Sequence, residues 1–599
     1  MANLSKIKRD EMIAFLDELK KTHSDDASIR AFNMIENHLR EKKYGLVWEE
    51  HSEEVDELLA ENIPVLTADK DRRLCTDENL PWNFIIQGDN LQALYLLEKT
   101  HRGKVDCIYI DPPYNTGAKD WKYNNDYVDG QDEYRHSKWL SMMERRLSIA
   151  KKLLCEDGVM IVAIDDYEVA RLIVLLEDLF PNYDVLPVIV NHHPQGGAAE
   201  NISRTHEYAL FVTPKGQKVI KGNKSENIEE TWSLTRGGTD VRNLRKGRPN
   251  SFYAIYVNEK TRDVVGVGPR LSATDKYDVN DAPDGCIAFY PIGKDGTERV
   301  WRYERDSMKK HIEDGDIICS TKMTLSVKKK RDVKYEPVFS VWTDGRYNAG
   351  THGTSLTYNL FSSSNRFSYP KSLYTVVDCV KWSTQGKSDA VIVDFFAGSG
   401  TTMHAVNLLN AEDDGNRTCI MVTNNEISEA EEKDFEKRGL KKGDAEWESH
   451  GIAQYITWPR TVCSIKGVDI NGNQLKGNYL DTDRPMADGL KANVKFFKCD
   501  WTPRKPEDYL LSNALCLHIR EMIELQNAIE IDNIKNVLIL NKSDLKKYIL
   551  DPERYVQVQN VWINQNIILN AEELKLLEAK GYKYIPREFF GQELREAAE

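Results

Sequence analysis

The chain has 599 residues, 41% of them hydrophobic; at roughly 150 residues per domain that supports several lobes with real cores and excludes a small stapled scaffold. With 81 basic against 95 acidic residues the net charge is −14, so a uniformly basic coat for nonspecific nucleic-acid binding is excluded while a local basic face stays open. The opening MANLSKIKRDEM carries no apolar run, no segment approaches roughly 18 consecutive apolar residues, and the ten cysteines lack CxxC or CxxH spacing, which reads as a soluble, cytoplasmic chain without a membrane span or a zinc site.

In chain order, residues 1–80 carry helix-spaced apolar positions (Met12, Ile13, Phe15, Leu16, Leu19) among charges and predict an N-terminal helical segment. From 81 to 214 short apolar runs alternate with amphipathic stretches: NFIIQGDN, LQALYLLEKT, KVDCIYIDPPY, SKWLSMMERRLSIAKKLL, GVMIVAI, YEVARLIVLLEDLF. That alternation is the pattern of a parallel α/β sheet. From 215 to 365 Gly, Arg, Lys and aromatic residues dominate, in pieces such as SFYAIYV and CIAFYPI, and predict an inserted, largely β domain. The alternation resumes over 366–500 with AVIVDFFAGSGTTMHAVNLLN and CIMVTNNE, so one Rossmann-like sheet is expected from two sequence halves. Residues 501–599 predict a small α/β appendage suited to dimer or partner contact.

Two segments carry chemistry. In VIVDFFAGSGTT an apolar strand runs into Asp394, a Gly398-Ser399-Gly400 turn and a helix from Thr402; glycines let the backbone turn tightly and approach a ligand facing the helix amides. The following strand, CIMVT, ends at Glu426, whose carboxylate suits two ribose hydroxyls. The third glycine of GxGxxG is missing and no GxxxxGK[ST] occurs, which disfavours a nicotinamide oxidoreductase or a triphosphate site and favours a nucleoside ligand. The second segment is Asp111-Pro112-Pro113-Tyr114 after VDCIYI, a carboxylate fixed by prolines at a strand's carboxyl end. A base's exocyclic amine is a weak nucleophile because its lone pair is delocalised; Asp111 and the Pro112 carbonyl can accept its N–H bonds, and Tyr114 offers a stacking face for a flipped base. The adjacent His192 and His193 point to opposite faces of an extended segment, so no metal site is expected there.

Together DPPYNTG, THEYALF, FSYPKSLY and DFFAGSGTT resemble, in order, the motifs of the β-class DNA amino-methyltransferases, and RPNSFYAIYV, GIAQYITWPRT and DGLKANVKFF extend the resemblance to the modification subunit of type III restriction-modification systems. The resemblance implies methyl transfer from S-adenosylmethionine to the N6 amine of adenine in double-stranded DNA, with cytosine N4 or an idle DNA-binding subunit as alternatives. It implies catalytic roles for Asp111, Pro112, Pro113 and Tyr114, and cofactor contacts for Asp89, Asp111, Lys371, Asp394, Phe395, Phe396, Ala397, Gly398, Ser399, Gly400, Thr401, Thr402 and Glu426. It makes the insert a target-recognition domain, where Arg236, Arg242, Arg245, Lys246, Arg248, Lys328, Lys329, Lys330 and Arg331 are the candidate DNA contacts. It further implies a homodimer and a separate restriction (helicase-nuclease) subunit.

Overall fold

The computed structural model describes residues 4–23, 25–40, 53–115, 135–196, 201–225, 230–329, 334–362, 366–367, 370–504, 513–586 and Phe589. Two compact units are formed, Lys221–Pro337 and the remainder of the chain. Among the described residues no helix is long and apolar enough to cross a membrane.

The larger unit is built on ten strands: β1 (Asn62–Leu74), β2 (Trp82–Gln87), β3 (Val105–Ile110), β4 (Leu154–Ile164), β5 (Tyr183–Val190), β6 (Glu207–Pro214), β7 (Val341–Trp342), β8 (Val391–Asp394), β9 (Thr418–Thr423) and β10 (Asn493–Pro503). Their spatial order is β1-β10-β2-β9-β8-β3-β4-β6-β5-β7. The stretch from β10 to β4 is parallel throughout, and β6 runs antiparallel to both β4 and β5. Strands covered on both faces read as unbroken apolar runs, which is why VDCIYI and GVMIVAI are almost wholly buried. The two sequence halves interleave as expected: β8 and β9 lie between β2 and β3.

The helices that matter below are α1 (Leu4–Thr22), α2 (Asp26–Arg40), α3 (Asn90–His101), α4 (Arg135–Leu153), α5 (Val169–Leu179), α6 (Leu373–Ser383), which begins just after Lys371, and α7 (Thr401–Asp413), which follows β8. One face of the sheet is covered by α3, α4 and α5 through Leu94, Leu97, Trp139, Met143, Leu147 and Leu175. The other is covered by α6 and α7 through Val376, Val380, Met403, Val406 and Leu409.

Three segment boundaries differ from the expectation. Residues 1–80 are not wholly helical: α1 and α2 are present, but Ile63, Val65 and Leu66 are fully buried in β1, which pairs antiparallel with β10. Charged Lys70, Asp71, Arg72 and Arg73 in that strand hid it; such charges suit an edge strand. Residues 338–362 do not belong to the insert, because Trp342, Tyr347, Leu356 and Leu360 join the core of the larger unit. The C-terminal part is an α/β appendage with a three-stranded parallel sheet, Asn536–Ile539, Asn560–Ile563 and Lys583–Tyr584. Its helix Ile519–Asn527 buries Ile519, Met522 and Ile523 in the main core, and β10 itself runs past residue 500.

The smaller unit is β-rich. One antiparallel sheet centres on Ile255–Asn258 and a second on Leu325–Lys329, with a single described α-helix, Arg305–Glu313. Its core holds Leu234, Tyr253, Ile255, Val257, Trp301 and Met308.

Candidate active site

Strands β3 and β8 are parallel neighbours, with Ile108 opposite Val393. The helix after β8 covers one face of the sheet and the helix that follows β3 covers the other, so the strand order reverses between them. Open α/β sheets bind ligands at such a reversal, outside the carboxyl ends of the strands. Both sequence-predicted segments emerge there.

From β3 the chain enters Asp111-Pro112-Pro113-Tyr114. Trp139 on α4 donates its indole N–H to the Pro113 carbonyl at 2.7 Å, and Asn115, at φ 57°, donates through Nδ2 to Glu168 Oε1 at 2.5 Å. His136 Nδ1 meets the same fully buried carboxylate. The turn is therefore held from both sides by groups on α4 and just before α5.

Four polar side chains converge at that turn. Lys371 Nζ lies 3.0 Å from Asp111 Oδ1 and 3.0 Å from Glu207 Oε2, and it also donates to the Tyr114 hydroxyl. Tyr114 donates its own proton to Glu207 Oε2 at 3.0 Å, and the ammonium sits 4.5 Å from the centre of the tyrosine ring. The side chains of Glu207 and Lys371 are 5% and 12% exposed, whereas Asp111 keeps 27%. Burial pushes the Asp111 carboxyl up, with Lys371 opposing and Glu207 reinforcing. Burial acts upward on Glu207 too, but the charge and hydrogen bond of Lys371 lead the groups that outweigh it, and the carboxyl lies below its ordinary value. Lys371 is raised despite burial because two carboxylates hold its proton. The cluster thus sets two carboxyl groups against one ammonium.

The glycine turn after β8 is braced from inside. Gly398 and Gly400 sit at φ 47° and 81°, the left-handed region, and a Cβ on Gly400 would come within 3.1 Å of Thr457 Cγ2. Asp394 is 2% exposed and both its oxygens are used locally, accepting from the Phe396 N–H at 3.0 Å and the Thr402 hydroxyl at 2.5 Å. It is a brace for the turn, which corrects the expectation that it faces a ligand; a short carboxylate four residues before the first glycine closes the loop on itself. Ser399 likewise looks inward, accepting from the fully buried Arg460 at 2.8 Å and contacting Thr401. Phe395, Phe396, Ala397, Thr401 and Thr402 are all buried around it. Across the neighbouring strand end, Asp89 caps α3 by accepting from the Leu91 and Gln92 amides, yet its side chain stays 45% exposed. Glu426 follows β9 and is partly buried.

A family model for DNA methylases matches residues 105–432, more than half of the chain. The chain belongs to that DNA methylase family. Among its relatives are the type II methyltransferase M.KpnI of Klebsiella pneumoniae, 31% identical over 352 residues that make up 56% of this chain and 79% of the relative. The Mod subunit of the type III restriction-modification enzyme EcoPI of Escherichia phage P1 is 30% identical over 445 residues, 65% of each chain. The StyLTI Mod subunit of Salmonella typhimurium is 27% identical over 390 residues, 60% of this chain and 55% of the relative, so these two Mod subunits are spanned over about half to two thirds of their length. The solved structure of a DNA modification methylase of Thermus thermophilus, TTHA0409, complexed with S-adenosyl-L-methionine aligns with TM-score 0.26 and 13% identity, covering 57% of this chain and 87% of that one.

S-adenosylmethionine is the methylase's methyl donor, and the residues present fit it: two left-handed glycines leave the turn after β8 without side chains at its tip, α7 opens there on Gly400 with no side-chain cap, and Asp89 and Glu426 stand at adjacent strand ends. Lys371, expected along the donor, contacts Asp111, Glu207 and Tyr114. Glu207 was missed. Its signal was a carboxylate within THEYALF, at the start of a strand buried almost throughout.

The methylase's insert residues separate into two groups. Arg245 is 4% exposed, donates to the Ser272 and Asp275 carbonyls, pairs with Glu298 at 3.1 Å and lies 4.2 Å from the centre of the Phe252 ring. It organises the insert's fold, which corrects its expected place among DNA contacts. Arg242, Lys246 and Arg248 are exposed, with Arg242 held by Asp240; Arg236 and Lys328 are half-buried. Lys329 ends a strand, and Lys330 and Arg331 lie outside the described residues.

Proposed function

We propose that this methylase modifies the N6 amine of adenine at specific sites in double-stranded DNA, acting in the cytoplasm as the modification subunit of a type III restriction-modification system. The observation that carries the reading is the side-by-side emergence of DPPY and the glycine turn from the adjacent strands β3 and β8. Bound there, S-adenosylmethionine supplies a methyl group on sulfonium that needs no further activation. The chain's own contribution is to hold the acceptor. Asp111 and the Pro112 carbonyl take the two amine N–H bonds, with the Pro113 carbonyl engaged by Trp139 and so kept out of that role. Tyr114, its hydroxyl anchored between Lys371 and Glu207, presents its ring to the flipped base. As the nitrogen is alkylated it sheds one proton, which Asp111 is placed to accept and pass to solvent. Holding both partners in attack geometry is a major source of rate in such a transfer.

The insert serves target recognition in this reading, with exposed Arg242, Lys246 and Arg248 and half-buried Arg236 as base or phosphate contacts. A second copy would complete a dimer, and cleavage would fall to a separate restriction subunit, as the names of the Mod relatives suggest. The test is to incubate the purified chain with unmethylated plasmid and S-adenosylmethionine, digest to nucleosides and identify the products by mass spectrometry. N6-methyladenine is expected, and Asp111→Ala should lose it while still binding S-adenosylhomocysteine. N4-methylcytosine would reassign the target, and no methylated base despite cofactor binding would favour an idle DNA-binding subunit.

A further inference from the structure

The catalytic pocket contains one more carboxylate than the chemistry of Asp111 requires. Glu207 opens β6, two strands from Asp111 across β4, and it is nearly inaccessible to solvent. Burying a second anion beside the first is costly unless it does something the first cannot. With Asp111 and Lys371 alone the pair would be neutral, and the ammonium would be free to concentrate its donors on the carboxylate that must receive the amine. Glu207 alters both conditions. It accepts from Lys371 at 3.0 Å and from Tyr114 at 3.0 Å, so the ammonium is shared, the tyrosine hydroxyl is fixed at both its donor and its acceptor side, and two carboxyl groups face a single ammonium.

We propose that Glu207 is a positioning residue for methyl transfer: it draws Lys371 partly off Asp111 and leaves the pocket net negative where the amine nitrogen becomes positive. In the transfer the nitrogen lone pair forms the new N–C bond, the C–S bond breaks with its electron pair staying on sulfur, and the surplus proton on nitrogen leaves through Asp111. Positive charge therefore moves from sulfur toward the nitrogen, and a buried anion already fixed on the nitrogen side stabilises the transition state more than the ground state. The other titratable groups around the cluster do not duplicate this. Tyr109 on β3 and Tyr114 are held protonated by burial, His192 beyond β5 is pushed toward its neutral form by burial, and Asp394 on β8 is buried and braced; Asp165, at the end of β4, is pushed up to about 6 by burial.

The inference rests on the methylation reading above, and the test separates the two. Rates are measured by single turnover on unmethylated duplex across pH for the full-length wild type, Glu207→Gln and Glu207→Asp, with melting temperature and S-adenosylhomocysteine affinity as controls. Glu207→Gln keeps the size and an acceptor but removes the charge. Its plateau rate is expected to fall about 10- to 100-fold, with DNA KM changed less than about threefold, below the roughly 100- to 1000-fold lost with a direct contact to a transition state because Glu207 acts through Lys371 and Asp111. At the same time the acid limb should move to lower pH, because Asp111 loses the anion that raises its pKa. Glu207→Asp, which keeps the charge, should restore most of the rate and leave the limb in place. A merely architectural glutamate would lower the rate without shifting the limb downward. A wild-type plateau in Glu207→Gln, or a lowered plateau with an unmoved limb, overturns the proposal. Should Glu207→Gln not fold, Lys371→Met and the doubly neutral Lys371→Met/Glu207→Gln decide it: the limb should rise in the first and return downward in the second, and equal limbs overturn the role. No methylated base from the wild type overturns both readings, whereas wild-type methylation with an unshifted Glu207→Gln overturns this one alone.

Discussion

Replacing Asp394 by Asn tests whether the glycine turn is braced as the geometry indicates. The carboxylate is 2% exposed, accepts from the Phe396 N–H and the Thr402 hydroxyl, and is pushed by burial up to about 7 from an ordinary value of 3.8, with Thr402 and Phe396 working against the rise. Because the folded pKa is the higher one, the native state binds the proton more tightly than the unfolded chain between those two values. The stabilisation is complete below about pH 3.8 and is lost as pH rises through about 7. Over that interval the linked free energy is about 4 kcal/mol, at about 1.4 kcal/mol for each tenfold change in proton affinity. Asn keeps the shape and one acceptor for the Phe396 N–H but has no proton equilibrium. The stability of Asp394→Asn minus that of the wild type, from urea unfolding at a series of pH values, should therefore be flat at acid pH, climb by several kcal/mol on approaching pH 7 and level off above it. Parallel curves, differing by less than about 1 kcal/mol over the same interval, would refute the assignment of Asp394 as a desolvated internal brace.

Other outcomes follow from contacts elsewhere. Arg146 on α4 is 4% exposed and donates to both oxygens of Glu53 at 2.7 Å, so Arg146→Met should cost up to about 3 kcal/mol in chemical denaturation by leaving that carboxylate only Arg145, at 3.3 Å, and adding Glu53→Gln should recover part of the loss. In the insert, Arg245→Ala should destabilise the unit, read as a lowered unfolding transition, whereas Arg248→Ala should leave unfolding unchanged and weaken DNA binding with a shallower salt dependence, read by fluorescence anisotropy at several salt concentrations. The reverse assignment of the two arginines would show that the exposed face is not the DNA-facing one.

The features legible in the sequence were those that local backbone rules dictate. An apolar strand broken by Asp111-Pro112-Pro113 and another broken by Gly398-Ser399-Gly400 announce ligand-facing turns wherever the rest of the chain goes, and the alternation around them announces the parallel sheet. What stayed hidden depends on partners distant in the chain. Glu207 is an unremarkable charge, and Lys371, singled out only through the resemblance, shows no partner, until β6 and the segment before α6 bring them to Asp111. Arg245 looks like its exposed neighbours Lys246 and Arg248 because sequence carries no record of the Ser272 and Asp275 carbonyls that capture it. The edge strand β1 was masked by a run of charges that an outermost strand tolerates and a central one would not.

The interleaving of the two sequence halves also governs how the molecule can come into being. Strand β3 emerges from synthesis long before β8, yet they are hydrogen-bonded neighbours, and β2 must wait for β9 and β10 to fill both its sides. A nascent chain that has only reached the insert owns DPPY but no glycine turn beside it, so neither half is an enzyme by itself. Long-range pairing of this kind is slow to nucleate and exposes unpaired strand edges while it waits. It also gives the chain a natural place to be divided: two fragments separated within Lys221–Pro337 would each be inert, and activity would appear only on their reassembly.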